Sequence, residues 1–197
     1  MRIPVGGTRA DLAVECSLIA SAPTTTARQW SRLIESSSST KQQDAAEYAE
    51  SIVSKWKLYS LRGRIASSQR QLAEMIRANP KIDVLALIAA EATWTTRDPR
   101  FGLCAFRRTW SNSIVVDYIA VHPMLLQTDS EVSGIGTAML YATANIAKKI
   151  GAERVWLETT DSSVGYYQYL FADAVDRDLL VISTEDFYNR IHEYFQK

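Results

Sequence analysis

Cysteine and histidine are scarce in this chain, with two of each among 197 residues. Cys16 and Cys104 are too few for a disulfide framework and suit reduced thiols that pack as small hydrophobic groups. No histidine or cysteine stands at the spacing of a metal site, so we expect no bound metal. Unpaired thiols are typical of a reducing compartment, and we expect the protein to be cytoplasmic.

An excess of charge of either sign is also lacking. Lys and Arg together number 22, as do Asp and Glu, which argues against nucleic-acid or acidic-membrane partners. No apolar run approaches the roughly 20 residues of a membrane helix. Asp11 and Glu15 interrupt the apolar stretch near the N-terminus, which argues against a signal peptide. Hydrophobic residues at 47% and charged residues at 22% predict an ordinary globular protein.

The first eighty residues predict a mainly helical region, 1–80, which we expect to belong to the same domain as the rest. Thr26-x-x-Gln29, Thr40-x-x-Gln43 and Ser68-x-x-Gln71 each have the form of a capping box. Each precedes or overlaps apolar residues at helical spacing. Asn79-Pro80 ends the third helix, because the residue before proline disfavours helical geometry.

The pattern changes to strands over residues 81–197. The stretches 84–90, 101–107 and 113–121 predict strands, the last two as an antiparallel pair. A helix is predicted over 136–150, then a strand over 154–159, a helix ending at Phe171, a strand over 179–183 and a last amphipathic helix from Thr184. Asp161 or Ser162 is expected to cap the helix that ends at Phe171.

Two glycines open the helix that follows the strand 113–121. Gly134-Ile135-Gly136 places a row of free backbone N–H groups and the positive end of the helix dipole at one point. Such a loop predicts an anion site, for which phosphate is the usual ligand. A dinucleotide fold is an alternative, since Glu158 ends a strand about 20 residues later. However, Met139 stands where its third glycine belongs, and the loop begins far from its strand.

Three motifs in this order resemble the GNAT N-acetyltransferase family. They are Asp117-Tyr118-Ile119-Ala120-Val121-His122-Pro123, Gly134-Ile135-Gly136-Thr137-Ala138-Met139-Leu140 and Ser163-Val164-Gly165-Tyr166-Tyr167-Gln168-Tyr169-Leu170. The resemblance covers roughly residues 82 to 175. It implies an α/β (α+β) fold with a mixed, mostly antiparallel sheet flanked by helices, here with an extended N-terminal helical region. Glu131 departs from the family pattern, which has a basic or amide residue at that position.

The resemblance also implies a site for acetyl-CoA as co-substrate. Its pantetheine arm would run beside the backbone of Ile119, Ala120 and Val121, with the Val121 N–H as a donor to the thioester oxygen. Its pyrophosphate would lie against the loop from Val132 to Thr137, formed by Val132, Ser133, Gly134, Ile135, Gly136 and Thr137. A close backbone approach of this kind needs glycine.

The same resemblance implies candidate catalytic residues for direct acetyl transfer to a primary amine in a ternary complex. Tyr167 is the candidate acid for the departing thiolate, with Tyr166 as the alternative if the helix register differs by one. Asp117 and Glu158 are alternative general bases, and a water chain is a third. The covalent route is not expected, because Cys104 lies in a strand away from the motifs.

Two functions stay open on the sequence. The first is an active N-acetyltransferase whose acceptor is a small-molecule or peptide amine. The second is an inactive acyl-CoA-binding or regulatory module of the same fold, with the N-terminal helices as a docking surface. A homodimer is left open for either.

Overall fold

Helices and strands alternate through the described part of the chain. The structure is a computed structural model that describes residues 1–7, 12–35, 38–95, 99–127, 130–160, 163–171, 175–176 and 178–196. Its strands are β1 (Arg2–Pro4), β2 (Gly6–Gly7), β3 (Ala13–Leu18), β4 (Ile65–Ala66), β5 (Val84–Ala92), β6 (Arg100–Arg108), β7 (Ser113–Val121), β8 (Val132–Ser133), β9 (Arg154–Glu158), β10 (Val175–Asp176) and β11 (Leu179–Ser183). Its helices are α1 (Thr24–Arg32), α2 (Thr40–Ser60), α3 (Gln69–Ala78), α4 (Ile135–Lys149), α5 (Val164–Phe171) and α6 (Thr184–Tyr194), with a 3-10 turn at Pro123–Leu126.

One mixed sheet of nine strands, counted over the described residues, organises the molecule. Its strand order is β1-β3-β5-β6-β7-β9-β11-β10, and β4 pairs beside β5. All neighbours are antiparallel except β7 with β9 and β4 with β5. A separate pair joins β2 to β8. The predicted mixed, mostly antiparallel sheet with flanking helices is confirmed.

Each face of the sheet is covered by its own set of helices. Successive side chains of a strand point to opposite faces, so Cys104 and Phe106 of β6 join one apolar cluster while Leu103 and Ala105 join the other. The first cluster includes residues of α4, α5 and α6. The second includes residues of α1 and α2, with Trp30 and Ile52 fully buried. The sheet therefore lies between two helical layers.

The N-terminal region is less helical than the sequence predicts. The three predicted helices are present as α1, α2 and α3, but residues before Pro23 form β1, β2 and β3. Val14 and Cys16 of β3 are buried while Glu15 between them is exposed, and β3 pairs along β5 from Val14↔Ala92 to Leu18↔Ile88. This segment is a strand because its partner is distant in sequence, which local propensity does not report. The expected cap at Asp161 or Ser162 lies outside the described residues.

Candidate active site

A fork between β7 and β9 opens the sheet at its centre. The two parallel strands pair from Ser113↔Arg154 to Val116↔Leu157 and no further. Asp117 and Glu158 are therefore the first residues beyond the last pair, one on each arm. Past this point the edge of β7 that faces β9 has no neighbouring strand in the described residues. An open strand edge offers backbone N–H and C=O groups to a ligand.

The orientation of the β7 backbone follows from its pairing with β6. The His122 N–H donates to the Phe101 carbonyl at 2.9 Å, and Val121 stands opposite Gly102. Because alternate residues of a strand point their backbone groups to opposite sides, Ala120 faces β6 while Ile119 and Val121 face the fork. The backbone groups of Ile119 and Val121 are thus directed into the fork. Ala120 instead packs its side chain against the α1–α2 cluster.

A β-bulge displaces Asp117 at the start of the fork. Ala105 pairs with Tyr118 and Phe106 pairs with Val116, so Asp117 is the extra residue on β7. Its carboxylate accepts from Arg107 Nε at 2.9 and 3.0 Å and lies 2.6 Å from Lys55 Nζ. The Asp117 side chain is 6% exposed. The Asp117 carboxylate is therefore buried and forms ion pairs with two cationic side chains.

The Arg107 guanidinium is the partner of the Asp117 carboxylate, and its pKa reflects the same interaction. Desolvation lowers its pKa, but the hydrogen bond and charge of Asp117, with a contribution from Tyr59, outweigh this and raise the pKa above its ordinary value. Arg107 Nη1 also lies 3.6 Å from Asp83 Oδ2. The cluster links α2, β6 and β7 beneath the fork.

The glycine loop leads directly into α4, as the sequence predicts. Gly134 is the N-cap residue with φ 84°, a left-handed conformation that favours glycine. No side chain caps this helix, and its first turn contains no acidic residue. The first N–H groups of the helix, from Ile135 to Thr137, have no acceptor within the helix itself. Ile135, Gly136 and Thr137 border the same opening as Ile119 and Val121 of β7.

These elements enclose one cavity of about 720 Å³, within the range of roughly 300–1,000 Å³ for ligand pockets. Twelve of the thirteen predicted site residues line it; Ala120 does not. The lining residues are Lys41, Asp44, Ala45, Tyr48, Val116, Asp117, Tyr118, Ile119, Val121, Leu125, Leu126, Val132, Ser133, Gly134, Ile135, Gly136, Thr137, Leu157, Glu158, Thr160, Ser163, Tyr166, Tyr167 and Tyr194.

Two neighbouring tyrosines of α5 enter the cavity in different states. The Tyr166 hydroxyl lies 2.6 Å from Thr137 Oγ1, which ties α5 to the first turn of α4. Tyr167 is 8% exposed, and no hydrogen bond to its hydroxyl is found among the described residues. Burial raises the pKa of both hydroxyls well above the ordinary tyrosine value. Tyr167 is thus a protonated hydroxyl that faces the cavity and is not bonded to Thr137.

The second carboxylate and a residue of α2 complete the site. Glu158 is exposed at the end of β9, and no ion pair to it occurs within the described ranges. Tyr48 of α2 stands across the opening, with its ring 5.9 Å from that of Tyr118. Sequence reasoning missed Tyr48, since a tyrosine inside a helical pattern carries no signal of a distant cavity. The contribution of α2 to the cavity lining is apparent only in the folded structure.

Both cysteines lie outside the cavity lining. Cys16 and Cys104 are free and buried. Burial raises the pKa of each thiol to about 12. A thiol of this pKa is almost entirely protonated at neutral pH and is a weak nucleophile.

Solved structures share this architecture at low sequence identity. A putative GNAT acetyltransferase from Desulfovibrio desulfuricans is 13% identical, with a TM-score of 0.50 over 86% of this chain and 99% of that one. The structure of the KacTA–DNA complex is 10% identical, with a TM-score of 0.50 over 91% of this chain and 99% of that one. Nourseothricin acetyltransferase matches 51% of this chain and 65% of its own length, with a TM-score of 0.38.

The match is one of fold. No protein-family model matches the sequence, and no curated protein matches it either. The chain has the fold of the GNAT acetyltransferases, and the predicted fold is confirmed. No helix in the described ranges is long and apolar enough to cross a membrane.

Proposed function

We propose that this protein is an N-acetyltransferase that moves the acetyl group of acetyl-CoA to a primary amine. One observation carries the proposal: the free edge of β7 at Ile119 and Val121 leads along a single cavity to the uncapped N-terminus of α4. An extended polar arm that ends in a pyrophosphate fits this combination. A strand edge pairs with amide groups, and a helix N-terminus binds phosphate.

The residues present fit such a molecule at both ends. Gly134 brings backbone close to the opening, and the first turn of α4 has no carboxylate to repel an anion. Ile119 and Val121 present the amides that face the fork, and we assign to them the carbonyl oxygen of the thioester and the amides of the arm. Acetyl-CoA supplies the acetyl group in a form that an amine nitrogen can attack.

Tyr167 is the proposed proton donor. Transfer forms a carbon–nitrogen bond and breaks a carbon–sulfur bond, and the departing sulfur needs a proton. The pKa of Tyr167 is raised by burial, so its hydroxyl keeps a proton through the neutral range. The Tyr166 hydroxyl is hydrogen-bonded to Thr137 Oγ1. We therefore assign Tyr166 to holding α5 against α4.

Glu158 is the proposed proton acceptor, directly or through water. An alkylamine must lose a proton before it attacks, and Glu158 stands at the opening of the fork. A proton on Asp117 would leave Lys55 and Arg107 facing a neutral group. We therefore assign Asp117 to the framework of the site and Glu158 to proton transfer.

An acetyl-transfer assay over a panel of amines tests the proposal. Wild-type protein with acetyl-CoA should release free thiol at a rate that depends on the amine, and the acetylated amine should be detected by mass spectrometry. The second candidate, an inactive acyl-CoA-binding module, predicts coenzyme A binding with no turnover on any acceptor. The cytoplasmic location expected from the sequence stays a prediction.

A further inference from the structure

The second strand of the chain, β2, lies against the loop that opens α4. Gly6 pairs with Ser133 and Gly7 pairs with Val132, in an antiparallel pair separate from the main sheet. β8 consists of only those two residues and leads directly to Gly134, the N-cap of α4. Gly6 and Gly7 thus contact β8, which belongs to the loop proposed to hold the pyrophosphate.

The fit between β2 and β8 is close at Gly6. A Cβ atom built on Gly6 would lie 2.5 Å from Ser133 Oγ, and a Cβ atom on Gly134 would lie 3.8 Å from the Gly6 nitrogen. The backbone of β2 therefore lies against the turn between β8 and α4. A side chain at position 6 therefore requires either the exposed Ser133 hydroxyl or β2 itself to move.

Local hydrogen bonds alone shape only part of this loop. Ser130 Oγ accepts from the Val132 N–H at 3.3 Å and donates to the Val132 carbonyl at 3.1 Å, both within the loop. β2 adds backbone pairing from a distant part of the chain. Pairs of two short strands are marginal by themselves, so we expect crowding at Gly6 to loosen this one.

We infer that Gly6 is a positioning residue of the cofactor site, acting through β8 on the first turn of α4. This inference rests on the proposed function, because it assigns β2 a part in holding the pyrophosphate loop. An anion site made of backbone amides works only when those amides are already aimed at one point. β2 supplies that alignment from outside the loop.

The test compares Gly6→Val with Pro4→Val in the full chain. Pro4 is exposed two residues away in β1, where it pairs with Ala13 and not with Ser133. Calorimetry should show that Gly6→Val weakens coenzyme A binding by about tenfold or more relative to wild type. Binding of pantetheine, which has no pyrophosphate, should be equal in both variants, as should the midpoint of thermal unfolding.

Amide hydrogen exchange without ligand gives an independent readout. Gly6→Val should speed exchange at residues 132–137 and leave that of β5 and β6 unchanged. Unchanged exchange and unchanged coenzyme A affinity in Gly6→Val would overturn the inference while the proposed function stands. Equal losses for coenzyme A and pantetheine would also overturn it. Wild-type protein that binds no coenzyme A would overturn the proposed function instead.

Discussion

The carboxylate of Asp117 lies 2.6 Å from Lys55 Nζ and 2.9 Å from Arg107 Nε, at the apex of the fork between β7 and β9. A buried carboxylate that pairs with two cations at a β-bulge has mainly a structural role. The sequence predicts Asp117 as one of two general bases, and we propose instead that it supports the fork.

Asp117→Asn should therefore act mainly on stability. The change removes the negative charge between two cations that are only 21% and 24% exposed. Because this partial exposure lets water screen them, we expect a loss of about 1–3 kcal/mol in the free energy of unfolding. Denaturant unfolding measures it. Glu74→Gln, in the exposed Arg70–Glu74 pair of α3, is the matched control and should cost about 0.5 kcal/mol or less.

A catalytic Asp117 would give a different pattern. Folded Asp117→Asn would then lose its acetyl-transfer rate at saturating substrate, while Glu158→Gln would keep it. The assignment made from the structure predicts the reverse order of effects. Rates must be compared at a temperature where both variants are fully folded.

Tyr167→Phe tests the proton donor. The change keeps the buried ring and removes a hydroxyl without a hydrogen bond in the described structure, so stability should change little. The turnover rate should fall by roughly 10²-fold or more, with coenzyme A affinity unchanged. Tyr169→Phe is the matched control, since Tyr169 lies on the same helix and is 72% exposed. If Tyr166→Phe showed the larger loss, the donor would be its neighbour.

The cysteines should be dispensable for turnover. A Cys16→Ala, Cys104→Ala double variant should keep the wild-type rate, because neither thiol lines the cavity. A large loss of rate in a folded variant would instead support a covalent intermediate.

Stability at alkaline pH offers a second check on these thiols. Burial raises their pKa from 9.0 to about 12, so the folded state holds protons that the unfolded state releases. Their contribution is complete below pH 9 and is lost as pH rises toward 12. The double variant should therefore lose less stability than wild type between pH 9 and 10.5 in denaturant unfolding. Parallel losses would contradict the buried, protonated state.

Local signals in the sequence predicted much of the site. Gly134 lies near the predicted strand and the two tyrosines in the sequence. Each of these features has a defined position on its own helix or strand. The cap of α2 shows the usual precision: the sequence predicts Thr40 with Gln43, whereas the capping box is Ser39 with Gln42. Helix ends are commonly displaced by a residue or two.

Other parts of the site depend on contacts between distant residues. The bulge at Asp117 is a shift in register between two strands, and hydrophobic alternation does not reveal it. The pairing of Gly6 with Ser133 joins two-residue strands too short to give a pattern. Tyr48 reaches the cavity because α2 packs over β7. Each of these is a property of the folded chain.

Coenzyme A binding to Gly134→Asp tests the central claim most directly. The backbone of Gly134 is left-handed, which aspartate tolerates better than most residues. A negative charge is favourable near a helix N-terminus, so the variant should stay folded. Its charge would stand where the pyrophosphate is assigned, and calorimetry should show affinity lowered by more than roughly tenfold, ~1.4 kcal/mol. Gly151→Asp, with φ 69° beyond the other end of α4, is the matched control and should bind as wild type does. Equal affinity in wild type, Gly134→Asp and Gly151→Asp would contradict the placement of the cofactor at this loop.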